Sequence, residues 1–337
     1  MTVETAVRPH VQNFIDWARD KPEVVVLSAD LTNSSEVGRW RDTYPDRFFS
    51  MGMAEQNMLG FAAGLAREGY TPFIHTFAVF IYRRAYDQLA MSIAYPNLRV
   101  RLIGFLPGIT TPGGVTHQAI EDVAIMRATP NMTVLETGDA TEVETVLDVA
   151  QAVDGPVYVR MLRGVMPRLF PRGLPMRLDR VRVLSEGSEC AVISAGIETE
   201  EALRAVRALA ARGVGVRHLH VSTHKPFGDP EILASIAGVR AGVVTVENHT
   251  IVGGLGSAVA ERIAEAGLGK RLIRVGLQDT YAHGAGRAYL AHEYGLDALG
   301  VVRAVERLLG RDTGIGETDL AAVPLEPTRT AERSDSL

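Results

Sequence analysis

Met51-Gly52-Met53-Ala54-Glu55-Gln56-Asn57-Met58 opens the stretch that decides the fold. From Met58 onward, Phe61, Ala62 and Leu65 recur at helical spacing, which predicts an amphipathic helix over about 54–67. Pro72-Phe73-Ile74-His75 then reads as a strand, Thr76-Phe77-Ala78-Val79-Phe80 as the turn beyond it, and 83–93 as another helix. Upstream, Val24-Val25-Val26-Leu27 reads as a buried strand whose end leads into Asp30. Downstream, 98–105, Val134-Leu135 and Val157-Tyr158-Val159 supply further strands. Strands alternating with helices imply the α/β class, with doubly wound, mostly parallel sheets. Ligands of such sheets gather outside the C-terminal strand ends. Asp30, the 75–80 segment and the 108–117 loop are expected along that edge.

A chain of 337 residues implies about two domains. The pattern breaks where Pro167, Pro171, Gly173 and Pro175 cluster, and resumes with Ala191-Val192-Ile193-Ser194, a helix over about 198–212 and Val243-Val244-Thr245-Val246. The expected organisation is therefore a first domain over 1–165, a linker over 166–182, a second domain over 183–311 and a polar tail or partner-binding arm over 312–337. A formal charge of −5 gives no footprint for nucleic acid. No apolar run approaches the ~18–20 residues of a membrane span, and Met1-Thr2-Val3-Glu4 lacks the character of a signal peptide. Cys190 is the single cysteine, so an intrachain disulfide is impossible and a reducing cytoplasm is the expected location. Its setting in an apolar strand reads as core filler rather than a nucleophile.

Three features carry chemistry. Glu55 lies at a helix start, where an acid is usually a solvated charge favoured by the helix dipole. Here Phe49, Met51 and Met53 surround it with apolar character, and a carboxylate taken out of water can share a proton with a ring nitrogen. Phe77 and Phe80, just past a strand, form an apolar patch that needs a cover, either a planar ligand or a subunit. His117 follows a loop too rich in Gly and Pro for regular structure, a setting suited to proton movement beside an open site. Arg160 and Arg163, at a strand end, could hold an anion or bridge the two domains.

Gly-Met-Ala-Glu-Gln-Asn-Met at 52–58, Thr-Phe-Ala-Val-Phe at 76–80, Arg-Arg-Ala-Tyr-Asp-Gln at 83–88, Thr-His-Gln-Ala-Ile-Glu-Asp at 116–122, Arg-Ala-Thr-Pro-Asn-Met at 127–132 and Val-Glu-Asn-His at 246–249 follow one another along nearly the whole chain. Together they resemble the C-terminal half of a transketolase, its pyrimidine-binding domain followed by its C-terminal domain, as found in the second polypeptide of a split enzyme. The resemblance implies thiamine diphosphate, with Mg²⁺ or Ca²⁺ bound mainly by an N-terminal partner subunit and no metal ligand on this chain. It implies two-carbon ketol transfer between small molecules in an α2β2 heterotetramer in which this chain also contacts a copy of itself. Glu55 matches the glutamate that hydrogen-bonds N1′ of the aminopyrimidine. Phe77, Phe80, Asp30 and Arg83 match cofactor-pocket positions, His117 a substrate-facing His, and Arg163, Ser34 and Arg8 positions that hold the substrate's phosphate.

Two departures stand out. Gly138-Asp139-Ala140 is the nearest approach to the thiamine enzymes' Gly-Asp-Gly motif and lacks its downstream Asn, so the chain is expected to be inactive alone. Phe105 and Gly113 fall about where sugar-phosphate transketolases carry a His and an Asp, which points to a specialised pathway with a less phosphorylated or more apolar acceptor. The β-subunit of an E1-type 2-oxo acid decarboxylase or dehydrogenase is the alternative within thiamine chemistry, and a non-catalytic scaffold the alternative outside it.

Overall fold

The computed structural model describes residues 4–323. Its strands run β1 (Thr5–Val7), β2 (Val24–Ser28), β3 (Phe48–Ser50), β4 (Thr71–Phe77), β5 (Arg101–Phe105), β6 (Thr133–Glu136), β7 (Val157–Met161) and β8 (Val165–Pro167). The second half adds β9 (Arg182–Ser185), β10 (Cys190–Ala195), β11 (Val216–Val221), β12 (Thr223–Lys225), β13 (Val243–Thr250) and β14 (Leu272–Leu277). One sheet has the order β12-β6-β7-β5-β4-β2-β3 and the other β14-β13-β10-β11-β9. All pairings within both are parallel except those of β12 and β9. The fold is α/β, as the alternation predicts.

The apolar runs explain this layering. β2, β4, β5, β6 and β7 are buried at every position, which suits strands covered by helices on both faces. Pro9–Trp17 packs beside Ala140–Ala152, and Glu55–Arg67 packs beside the π-helical turns of Gln88–Ala94. The helix expected over 83–93 is broken. A short helix, Ala78–Tyr82, leaves β4 directly, a turn covers 83–85, and π-helical geometry follows. That turn frees Arg83 and Arg84 to reach different partners, described below.

Three segments depart from simple division of the chain. Thr223–Lys225 leaves the second half and pairs antiparallel with β6, covering what would be an open sheet edge. Lys225 secures it by donating from Nζ to the carbonyls of Arg127 and Thr129 at 3.0 and 2.6 Å. Within the stretch read as a linker, β8 pairs with β1, and Leu169 and Phe170 are buried, their N–H groups donating to Asp139 Oδ2 at 2.9 Å. In the stretch read as a tail, Glu317–Ala321 is helical and sets Leu320 into the core beside Glu198–Ala211. Residues 324–337 of that stretch lie outside the described residues.

A buried polar seam joins the halves. Arg160 is 1% exposed and donates to Asp122 at 2.7 Å, to Glu136 at 2.5 Å, and to the carbonyls of Ala119 and Asn248. Of the two roles left open for it, bridging is the one its contacts describe. His224 bonds the other Glu136 oxygen at 2.6 Å, and His220 bonds Glu142 at 2.9 Å. Burial alone would push Glu136 up, but Arg160 and His224 outweigh it and hold the carboxyl at about 2.

Candidate active site

Glu55 is the first residue of its helix and only 4% exposed. Gly52, with φ of +67° and open space around it, turns the chain into that helix. The helix dipole favours the carboxylate there, and Arg84 donates to its Oε1 at 2.9 Å. The same guanidinium lies 4.1 Å from the Phe80 ring. Phe77 and Phe80 stack with centroids 5.9 Å apart, and His117 meets both edge-on at 6.1 and 5.6 Å. A buried acid, a flat aromatic surface and an imidazole thus form one continuous group. This donor set suits a heteroaromatic ring carrying a protonatable nitrogen, because the carboxylate supplies the acceptor and the rings supply the stacking face.

His117 owes its position to the second half of the chain. The loop leaving β5 passes Gly108, whose φ is +56° and where a Cβ would lie 2.1 Å from Asn248. Asn248 accepts from Ile109 N at 2.9 Å and donates to the Pro107 carbonyl at 3.0 Å. Gln118 donates to the His283 carbonyl at 3.2 Å. A Cβ at Gly113 would lie 2.9 Å from that of His117, so glycine makes room for the imidazole. Thr116 Oγ1 pairs with His117 Nδ1 at 2.8 Å. Arg83 fastens the far side of the loop, with a two-point contact to Glu121 at 2.8 Å and bonds to the carbonyls of Val115 and Gln118.

A cavity of about 450 Å³ adjoins this group, lined by Arg8, Arg163, Glu36 and Thr111 among others. Arg163 lies 5.5 Å from the Phe77 ring, which joins the cavity to the aromatic group, and donates to the Ser34 carbonyl. Arg8 sits at the left-handed N-cap of Pro9–Trp17, with its N–H on the Gly164 carbonyl and its guanidinium 4.0 Å from Glu36. Asp30, with φ of 58°, is exposed past the end of β2.

The structure therefore brings Glu55, Phe77, Phe80 and His117 together, and sets Arg163, Arg8 and Ser34 beside them. Asp30 lies on the same strand-end side, and Arg83 points to the loop. Phe105 differs from expectation. It is fully buried against His10 and His75, with ring centroids at 5.8 and 6.0 Å, so it fills the core and lines no channel. Arg84 was missed by the sequence reading, although it stands beside Arg83 in the Arg-Arg-Ala-Tyr-Asp-Gln motif. Asn248 stands in the Val-Glu-Asn-His motif, but its role had no local signal, since its partners are about 140 residues away. Cys190 is buried in β10, where burial pushes its thiol up to about 12, consistent with core filler. Among the described residues, no helix is long and apolar enough to cross a membrane, and no group of three or more His, Cys, Asp or Glu is placed to hold a metal ion.

Residues 10–168 match the family described as "Transketolase, pyrimidine binding domain", and residues 179–301 match "Transketolase, C-terminal domain". Over 303 residues the chain is 39% identical to the 6-deoxy-6-sulfo-D-fructose transketolase subunit of Clostridium sp. (strain MSTE9), covering 90% of this chain and 94% of that one. It is 35% identical over 319 residues to the 1-deoxy-D-xylulose-5-phosphate synthase of Symbiobacterium thermophilum, covering 94% of this chain but 48% of that one. A solved split-gene transketolase, described as an inactive β4 tetramer, aligns with a TM-score of 0.83 at 37% identity, over 90% of this chain and 97% of its own.

Proposed function

The chain belongs to the transketolase family, and from that premise we propose that it is the C-terminal subunit of a split enzyme that transfers a two-carbon ketol unit from a ketose to an aldehyde acceptor. The observation that carries this reading is the single group formed by buried Glu55, the stacked Phe77 and Phe80, and the edge-on His117. These residues fit the pyrimidine side of thiamine diphosphate. The cofactor, when bound, supplies the electron sink for carbon–carbon cleavage.

Glu55 would hold a proton at the pyrimidine ring nitrogen, with Arg84 fixing its carboxylate. Phe77 and Phe80 would stack on the ring and keep water from it, with Asp30 at the rim. Arg83 would act on the cofactor pocket through the loop it fastens. His117 would face the substrate's hydroxyls. Arg163 and Arg8, with Ser34, would take an anionic group at the far end of the sugar. The relative's sulfonated ketose supports a substrate with a terminal oxyanion, a sulfonate or a phosphate ester. An N-terminal partner would supply the Mg²⁺ and diphosphate site in an α2β2 assembly; the β-only tetramer described as inactive supports that division of labour. Such an enzyme would work in the cytoplasm.

The test is reconstitution with an N-terminal transketolase subunit, thiamine diphosphate and Mg²⁺, using D-fructose 6-phosphate or 6-deoxy-6-sulfo-D-fructose as donor and an aldose phosphate as acceptor. Ketol transfer by the mixture and none by the lone chain is the expected result. Turnover by the lone chain, or none by the mixture, would sink the reading. The similarity to a deoxyxylulose phosphate synthase favours a second reading in which the donor is a 2-oxo acid. Release of CO₂ from pyruvate by the mixture would mark it, as it would an E1-type decarboxylase.

A further inference from the structure

Arg287 comes from the second half of the chain, at the start of Arg287–Glu293, yet it lines the same cavity as Arg8 and Arg163. Its own acids hold it loosely. Glu198 and Glu201 lie 3.9 and 4.0 Å from its Nη2, beyond hydrogen-bond distance. Arg287 Nε and Nη2 are buried without a hydrogen-bond partner, and so are both carboxylate oxygens of Glu198. A buried charged donor lacking an acceptor is costly, and such a group in a native fold calls for an explanation. A purely structural tie between Glu198–Ala211 and Arg287–Glu293 would be expected to close into direct hydrogen bonds, as Arg160 does with Asp122 and Glu136 at 2.7 and 2.5 Å. Glu200, also on the cavity, is already engaged by Arg204 at 2.7 Å. The cavity thus carries three arginines, Arg8, Arg163 and Arg287, against two carboxylates, Glu200 held by Arg204 and Glu36 beside Arg8, and of the three arginines Arg287 is the one whose Nε and Nη2 have no hydrogen-bond partner.

We propose that Arg287 binds the terminal oxyanion of the substrate together with Arg8 and Arg163, so that the second half of the chain contributes directly to substrate selection. The inference rests on the ketose-transfer reading above and deepens it by one residue and one ligand chemistry. A guanidinium offers a planar fork of N–H groups that fits two oxygens of a phosphate ester or a sulfonate at once.

The full chain is titrated calorimetrically with D-fructose 6-phosphate, 6-deoxy-6-sulfo-D-fructose and D-fructose, as wild type and as Arg287→Gln, Arg287→Lys and Arg163→Gln. Both anionic ketoses are expected to bind wild type at least about tenfold more tightly than fructose, and Arg287→Gln to weaken them about tenfold while leaving fructose unchanged. The tighter of the two anions identifies its source. Arg287→Lys is expected to recover part of the loss, because it restores the charge without the fork. If Arg287→Gln still discriminates anion from fructose as wild type does, while Arg163→Gln does not, the role of Arg287 is overturned and the anion site stands. If wild type itself shows no discrimination, both fall. A loss of melting temperature that Lys restores without restoring affinity would make Arg287 a structural tie and overturn the proposal.

Discussion

Glu55 is held from two directions. The helix dipole and Arg84 both favour its carboxylate, while its 4% exposure removes nearly all water that would otherwise solvate it. A group so placed can be tested without disturbing its neighbours. Glu55→Gln keeps the volume and leaves a carbonyl to accept from Arg84, but it cannot share a proton with a ring nitrogen. Turnover of the reconstituted enzyme is expected to fall by about 10²-fold or more, the range of a positioned acid–base group. The melting temperature of the chain should move by only a few degrees. Steady-state assays beside thermal melts check this, and an enzyme that turns over at the wild-type rate would remove Glu55 from the chemistry. His117 differs in kind, since its ring is positioned by edge-on contacts with Phe77 and Phe80 and by the loop it sits on.

That loop is where element-scale control is concentrated. Asn248 pairs both Ile109 N–H and the Pro107 carbonyl; the carbonyl also accepts from Thr110 Oγ1 at 2.7 Å, so Asn248→Ala leaves the buried Ile109 N–H without its partner, at a cost of about 1–3 kcal/mol. The expected outcome is faster amide exchange across residues 107–118, with strands β2 and β4 unaffected, read by hydrogen-exchange mass spectrometry. Protection unchanged at Ile109 would show that other contacts hold the loop. The sequence made the parallel strands legible because buried apolar runs such as Val24-Val25-Val26-Leu27 leave few alternatives. It also made Glu55, Phe77, Phe80 and His117 legible as a family-like set. It could not show that Thr223–Lys225 crosses to cover β6, because three residues without apolar alternation carry no strand signal, and their pairing is fixed by tertiary contact. Nor could it separate Arg83 from Arg84. Adjacent and identical, they part only because the chain turns at 83–85. Standing where sugar-phosphate transketolases carry a polar residue, Phe105 reads as a change at the substrate site, whereas its packing against His10 and His75 puts it in the core.

Across the whole molecule, buried acids with opposite behaviour set how stability depends on pH. Burial would raise Glu136 and Glu142, but Arg160 and His224 outweigh it for the first, and His220 and Arg182 for the second, leaving both at about 2 against an ordinary 4.5. Their contribution is present above 4.5, where the unfolded carboxyls are ionised, and is lost as pH falls toward 2. Glu198 runs the other way. Burial pushes it up to about 7, against the opposing pull of Arg287, because no hydrogen bond supports its charge. A raised folded-state value means that stability is fully present below 4.5 and is lost as pH rises through about 7. Glu198→Gln removes that loss. It should therefore stabilise the chain at pH 8 by on the order of 1–3 kcal/mol and change little at pH 4.5, measured as urea midpoints at the two pH values. Equal effects at both would show that shape rather than charge dominates at this position. Destabilisation at pH 8 would show that Arg287 keeps Glu198 ionised in the fold, and that the pair is a working ion pair despite its 3.9 Å separation.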